Sequence, residues 1–512
     1  HRLRTLLLAL TVLAASVGAS TLLQGGFFAA SDRPELLVNL TLPANASQQE
    51  TERQTIRLEK ALEGNPDIAH FSAFVGTGAL RFYLPLDVLL DNENIAQFVV
   101  VARDLNARNR LQHEIARILA RDFSEIITRV YPLELGPPVG WPIKYRVTGP
   151  DYGQVRNIAR ELATRVGNHP DTREVNLSAG EPERVITLRV NQTAARAVGL
   201  SAENLATALN TLWSGVTATA IRDRNRLIDV TLRANNDERQ DLSSLSSLIL
   251  TAADGRKIPL SEIATPEWSL DDPLIWRRQR LPIITVQTDL APGKSADAVS
   301  QSLLPTVNAL RSTLPPGYAI DEGGTAAESE KGNHSVFAVL PFSLALTLVL
   351  LIFQLKSVSR VVFALSMAPF CLPGVVLLML PTGTPLGFIA MLGLIALSGM
   401  IVRNAVILIS EADNNIRQGL ARDAAIVRAA EHRARPILLT ALAAILGMLP
   451  IARQAFWGPM AWVIIGGLLA ATLVTLTVLP AALSLVVGGE EKLSQYLRRS
   501  GTRTSEHQGP AR

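Results

Sequence analysis

The chain has 512 residues, of which 48% are hydrophobic and 18% charged, and its mean hydropathy is +0.23. That is too apolar for an ordinary soluble protein and too charged for one embedded throughout, so membrane and aqueous parts are both expected. A formal charge of +4 on 49 basic and 45 acidic residues points to no nucleic-acid partner, and the single thiol, Cys371, excludes an internal disulfide or a Cys-based metal cluster.

In chain order, apolar windows fall near residues 5–29, 335–355, 361–382, 387–410, 436–452 and 460–487. Most reach the ~20 residues that cross the hydrocarbon layer. The first, which follows His1-Arg2-Leu3-Arg4, also fits a secretory signal, but its apolar run continues through TLLQGGFFAA. None of the windows carries Asp or Glu. Basic residues cluster at His1–Arg4, Lys356–Arg360, the 411–435 loop and Lys492–Arg499, which puts those ends on the cytoplasmic side and residues 31–334 outside. Because residue 1 is His rather than Met, the chain is expected to be a piece of something longer.

Between the first and second windows, strands and amphipathic helices alternate. ELLVNLTL is a strand, 47–63 a helix, AHFSAFVG and LRFYLPL are strand-like, and AQFVVVARD is another strand. A helix through RLQHEIARILARDF and the strand SEIITRVYPLEL complete a split βαβ order, β-α-β-β-α-β, closed by the punctuating GPPVGWP. The order restarts with IKYRVTG, a helix over 152–167 and TREVNLSA. LPIITVQTDL, a helix over 295–313 and YAIDEGG resume it after an insertion that holds a helix near 202–213 and a hairpin.

Several chemistries find no support. No G-x-x-x-x-G-K-[ST] loop and no G-x-S-x-G is present. All six methionines lie in the membrane half, and residues 31–334 hold no Met, no Cys and only the scattered His70, His113, His169 and His334. A thioether or imidazole metal relay is therefore not expected there. The Gly76–Gly78 link in AFVGTGALRFY reads either as a turn needing positive φ or as a flap at a substrate cleft. Phe74 and Phe82 beside it are candidate cleft residues, with core packing as the alternative.

SGMIVRNAVILIS places Arg403 inside an apolar window. A central arginine costs roughly 2.5–3.5 kcal/mol on insertion scales, so it is expected to serve a task. Arginine keeps its proton, so the task is charge pairing with carboxylates that gain and lose theirs. The windows supply no such acid. Snorkelling to headgroups is the structural alternative.

Together these features resemble the C-terminal half of a resistance-nodulation-division (RND) transporter of the hydrophobe/amphiphile type. GLIALSGMIVRNAVILISEAD is similar to the family's tenth membrane helix and RARPILLTALAAILGMLP to the start of its eleventh. The resemblance implies a proton-coupling group of Arg403, Asn404, Thr440 and Arg433, with Arg403 where AcrB-type drug pumps carry lysine and the acidic pair on a helix of the N-terminal half. It implies six membrane helices and a periplasmic α+β region of two ferredoxin-like porter subdomains. The segments are then helix 1–30, porter 31–138, a second porter 139–183 plus 281–330, a docking subdomain 184–280, five helices in 331–488 and a cytoplasmic tail 489–512. The expected protein is a proton antiporter and not an enzyme, with protons as coupling ion and no cofactor. It would sit in a bacterial inner membrane as a homotrimer, with a periplasmic adaptor, an outer-membrane channel and amphiphilic small molecules as partners. Lipid, nodulation-factor or metal export, polypeptide export and a non-transporting sensor are the alternatives.

Overall fold

A computed structural model describes residues 2–505 apart from 24, 27, 29, 30, 236–244, 246, 247, 253 and 254, with side chains described to residue 487. Two compact units emerge, residues 179–275 and the remainder. The first helix, α1 (Arg2–Ser20), stops short of the 1–30 expectation. Gly25 and Gly26 follow a turn there, and paired glycines propagate a helix poorly.

A four-stranded antiparallel sheet follows, built from β1 (Glu35–Thr41), β2 (Ile68–Val75), β3 (Ile95–Ala102) and β4 (Ile127–Pro132) in the order β2-β3-β1-β4. Helices α2 (Gln48–Leu62) and α3 (Leu105–Asp122) start where Ser47 and Asp104 accept backbone N–H groups. Alternation along β1 sends Leu36, Val38 and Leu40 against these helices, with Leu58, Leu111 and Ile115. Leu37 points the other way, onto Leu86, Tyr131 and Leu133. The LRFYLPL segment is therefore no strand. It belongs to a loop over residues 76–94 that caps the second face of the sheet through Leu86.

The second sheet repeats the pattern. β5 (Ile143–Thr148), α4 (Tyr152–Gly167) and β6 (Thr172–Leu177) form its first part. The unit 179–275 intervenes, five residues earlier at each end than the 184–280 expectation. Within it, β7 (Glu183–Val190), α5 (Gln192–Ala197), α6 (Ala202–Trp213), the hairpin β8 (Val216–Asp223) and β9 (Arg226–Leu232), β10 (Ile249–Thr251), β11 (Lys257–Pro259) and β12 (Ala264–Asp271) surround a core of Leu205, Leu250, Ile258 and Leu260. β7 and β12 pair along their whole length. The chain then resumes with β13 (Arg277–Arg278), β14 (Leu281–Leu290), α7 (Ala296–Arg311) and β15 (Ala319–Gly323), and β14 and β15 flank β5.

The remaining helices are α8 (Gly324–Leu355), α9 (Val358–Ser366), α10 (Leu372–Thr382), α11 (Phe388–Arg417), α12 (Arg422–Met448) and α13 (Gly458–Ser505). Among the described residues, five spans are long and apolar enough to cross a membrane: Arg2–Ser20, Gly324–Leu355, Val358–Thr382, Phe388–Arg417 and Gly458–Val487. The 436–452 window is not among them, although it lies on a helix. Arg428, Glu431, His432, Arg433 and Arg435 occupy the first half of α12, and the apolar stretch from Pro436 to Met448 is only ~20 Å long at 1.5 Å per residue. The tail 489–512 lies outside the described side chains.

The long helix α13 is the axis on which α10, α11 and α12 pack. Glycines permit it: a Cβ on Gly374 would strike the carbonyl oxygen of Gly466 and approach Ala470 Cβ to 2.7 Å. Close backbone approach of this kind is how membrane helices associate without a hydrophobic drive. Gly374→Val is expected to lower stability by about 1–3 kcal/mol, the range for overpacking. It would be read as an earlier thermal midpoint in detergent, and an unchanged midpoint would refute the packing role.

Candidate functional site

Helices α11 and α12 run antiparallel, joined by a turn in which Gly419 takes φ 91°. Arg403 stands at the middle of α11, about 22 Å from Phe388 and 21 Å from Arg417 along the axis. It is exposed, and among the described residues it has neither a hydrogen-bond nor an ion-pair partner. Asn404 beside it is half-buried. The neighbours Val402, Ala405 and Val406 are buried, so the helix turns its apolar face into the bundle and leaves Arg403 on a face this chain does not cover.

Arg433 on α12 is not free. Its Nη2 donates to Glu411 Oε2 on α11 at 2.8 Å, and His432 Nδ1 lies 4.0 Å from the other carboxylate oxygen. This pair marks where the two helices stand level with each other. Arg403 is eight residues before Glu411 and Thr440 seven after Arg433, so the two lie ~12 and ~10 Å from the pair, at similar depth. Thr440 is exposed, and its hydroxyl donates to the carbonyls of Pro436 and Ile437, both at 3.0 Å. The structure thus brings Arg403 and Thr440 to one level and draws Arg433 away to Glu411.

Glu411 escaped the sequence reading because it falls one residue beyond an apolar window. The same end holds an Arg360–Asp413 ion pair between α9 and α11 and Arg2–Asp423 at 2.5 Å between α1 and the start of α12. The detectable signal was an acid two or three helical turns past Arg403 facing a basic run in the next helix.

In the first sheet, Gly76 takes φ 74° and Gly78 lets Leu89 come within 3.0 Å of where a Cβ would stand. The Asn92 N–H donates to the Gly76 carbonyl at 3.0 Å, and Thr77 Oγ1 donates to Asp91 Oδ1 at 2.6 Å, which clasp the neck of the 76–94 loop. Phe74 is half-buried on β2 opposite Gln97. Phe82 stands on the loop, 5.4 Å from Tyr83 and beneath the Arg33 guanidinium at 5.8 Å. Leu80, Leu84 and Leu90 on the same loop are 84%, 83% and 76% exposed.

A second charged centre joins the two sheets. Arg129 on β4, with 4% of its side chain exposed, donates to Asp289 on β14 at 2.9 Å, to Glu134 at 3.3 Å and to the Gly140 carbonyl at 2.8 Å. Its guanidinium lies 3.9 Å from the Tyr131 ring and 5.1 Å from that of Trp141. Burial works against its charge, but Asp289 and Glu134 outweigh burial and raise its pKa. Burial pushes the Tyr131 phenol up to about 12, against the pull of Arg129 and a hydrogen bond from Asn39.

An antiparallel split βαβ sheet, repeated once with an insertion, is followed by apolar helices, one of which carries Arg403 at its middle. The profile of the AcrB/AcrD/AcrF family matches residues 1–487, and the chain belongs to that family. It is 28% identical over 357 residues to the nickel and cobalt resistance protein CnrA of Cupriavidus metallidurans, covering 67% of this chain and 33% of that protein. It is 26% identical over 348 residues to the cobalt-zinc-cadmium resistance protein CzcA of the same organism, covering 66% and 32%. A crystal structure of a heavy metal efflux pump shares the fold with a TM-score of 0.77 at 23% identity, over 95% of this chain and 51% of that one. The chain therefore spans about a third of the length of the curated relatives it matches. These relatives are named for metal resistance, whereas the sequence resemblance pointed to the hydrophobe/amphiphile type.

Proposed function

We propose that this chain supplies the C-terminal half of a proton-driven RND exporter, with Arg403 as the fixed cation of its proton relay. The observation that carries this reading is a central intramembrane arginine, exposed and without a partner among the described residues. A permanent charge facing lipid is costly, so its face is covered by protein that brings an acid. In this reading the acid belongs to the N-terminal half of the same transporter. Each proton moving down 100 mV supplies ~2.3 kcal/mol. Protonating the acid removes its attraction to Arg403 and shifts the bundle between two packings.

The 436–452 helix completes a six-helix set when Arg433 and Arg435 snorkel. The basic ends face the cytoplasm, and the two sheets serve as periplasmic porter subdomains with the 179–275 unit docking toward an outer-membrane channel. The assembly is a homotrimer in the inner membrane with a periplasmic adaptor and no nucleic-acid partner. Its cargo is an amphiphile: Leu80, Leu84 and Leu90 form an exposed apolar set on the 76–94 loop beside Phe82, and residues 31–334 hold no Met or Cys. The names of the curated relatives favour a second reading, export of divalent metal ions.

The complete gene, expressed in a strain stripped of its own exporters, separates the two. Lowered accumulation of a lipophilic dye with unchanged tolerance to nickel, cobalt, zinc and cadmium is the expected result. Raised metal tolerance without dye export would replace the amphiphile reading with the metal one.

A further inference from the structure

We infer that Phe28 is a positioning residue for export, the contact through which the Phe388 end of α11 and the Gly458 end of α13 act on the connection between the two sheets. This rests on the proton-driven exporter reading above and names the point at which a change around Arg403 leaves the helices.

Three parts of the chain meet at the Phe28 ring. It stacks on Phe456, with centroids 5.7 Å apart and planes 11° from parallel, and it lies 6.2 Å from the Phe388 ring, tilted by 47°. Both separations are within the range where aromatic pairs attract. Phe456 stands in the turn just before α13, and Phe388 is the first residue of α11, the helix that carries Arg403. Pro385, Gly387 and Pro459 line the space beside the ring. The ring also lies against Gly136, where a Cβ would strike it. Gly136 takes φ 136°, so backbone and contact both ask for glycine at this point.

Gly136 belongs to the stretch 133–142, the direct link from β4 in the first sheet to β5 in the second. This stretch is fastened along its length. The Ser31 N–H donates to the Leu133 carbonyl at 3.1 Å, Arg129 to that of Gly140 at 2.8 Å, and the Thr325 N–H in the first turn of α8 to that of Pro142 at 2.9 Å. Backbone held at those points passes on a displacement at Gly136 where a slack loop would absorb it. The chain just after Phe28 is anchored as well. Arg108 on α3 is buried, and its Nη1 donates to the carbonyls of Ser31 and of Arg33, the latter at 2.9 Å. A shift of α11 or α13 therefore reaches the sheets through the ring, in the way that packed side chains and hydrogen-bond networks carry coupling between distant sites.

The test reconstitutes the complete transporter in vesicles, where an imposed pH gradient drives export of ethidium or zinc, whichever cargo the strain comparison above selects. The readout is protons moved per cargo molecule exported, because that ratio does not depend on how much of the protein is active. Phe28→Ala and Phe456→Leu are each expected to raise the ratio at least about twofold, the small end of the range for residues that carry coupling. Phe28→Tyr, which keeps the ring, is expected to hold the wild-type ratio. Assembled protein is quantified for each variant, and Phe28→Leu replaces Phe28→Ala if the latter does not assemble. A wild-type ratio in an assembled variant that lacks either ring overturns the inference and leaves the exporter reading standing. A wild type that couples neither cargo to protons overturns both.

Discussion

Replacing Arg403 with alanine is expected to abolish proton-coupled export while the protein still inserts and assembles. Arg403 contributes nothing to the packing of α11, since it is exposed while Val402, Ala405 and Val406 fill the bundle. Its removal should even ease insertion, because the central charge is costly in hydrocarbon. In the proposed relay, what it contributes is a difference between two protonation states of an acidic partner. A pair of unit charges 4 Å apart at an effective dielectric of about 20 is worth about 4 kcal/mol. Without the cation a proton on the acid no longer favours one packing over the other, and a ligand with equal affinity for both states shifts nothing. Arg403→Lys keeps the charge and should retain export. Dye efflux energised by a pH gradient, with surface-accessible protein quantified in parallel, decides the matter. Full export by the alanine variant would show that the arginine is structural.

The second large effect is expected at the junction of the two sheets. Arg129→Met leaves Asp289 and Glu134 facing each other without their shared cation and removes a donor from the Gly140 carbonyl. Breaking a buried pair from one side costs about 3–5 kcal/mol, and the lower figure applies because both carboxylates keep some contact with water. Arg129→Lys should recover only part of this, since an ammonium cannot fork between two carboxylates while lying against the Tyr131 ring. The readout is an earlier denaturation midpoint with faster proteolysis in the connection from Leu133 to Trp141. Midpoint and cleavage rate equal to wild type would mean that the sheets are held together by other contacts.

Much of the architecture was legible because it is local. Strand alternation and helix caps in ELLVNLTL and at Ser47, Asp104, Asp151 and Ser295 follow from neighbouring residues, and the helices begin at those caps. The LRFYLPL segment misled for the same reason. It has the composition of a strand, yet β3 already occupies the edge of β1 and Leu86 instead fills the far face of the sheet. The 436–452 window shows the limit of hydropathy, since a helix can be regular over 27 residues while its basic half stays polar.

Sequence by itself determined five of the six apolar spans, the repeated split βαβ order and the presence of a cation in the middle of an apolar helix. Each is written in residues a few positions apart, where periodicity and composition act directly. The tertiary structure alone decided which charges meet. Arg129 finds Asp289 across 160 positions, Arg433 is taken by Glu411 on the preceding helix, and Arg403 is left without a partner among the described residues. A charge senses distance in space and the dielectric around it, and neither is encoded by spacing along the chain.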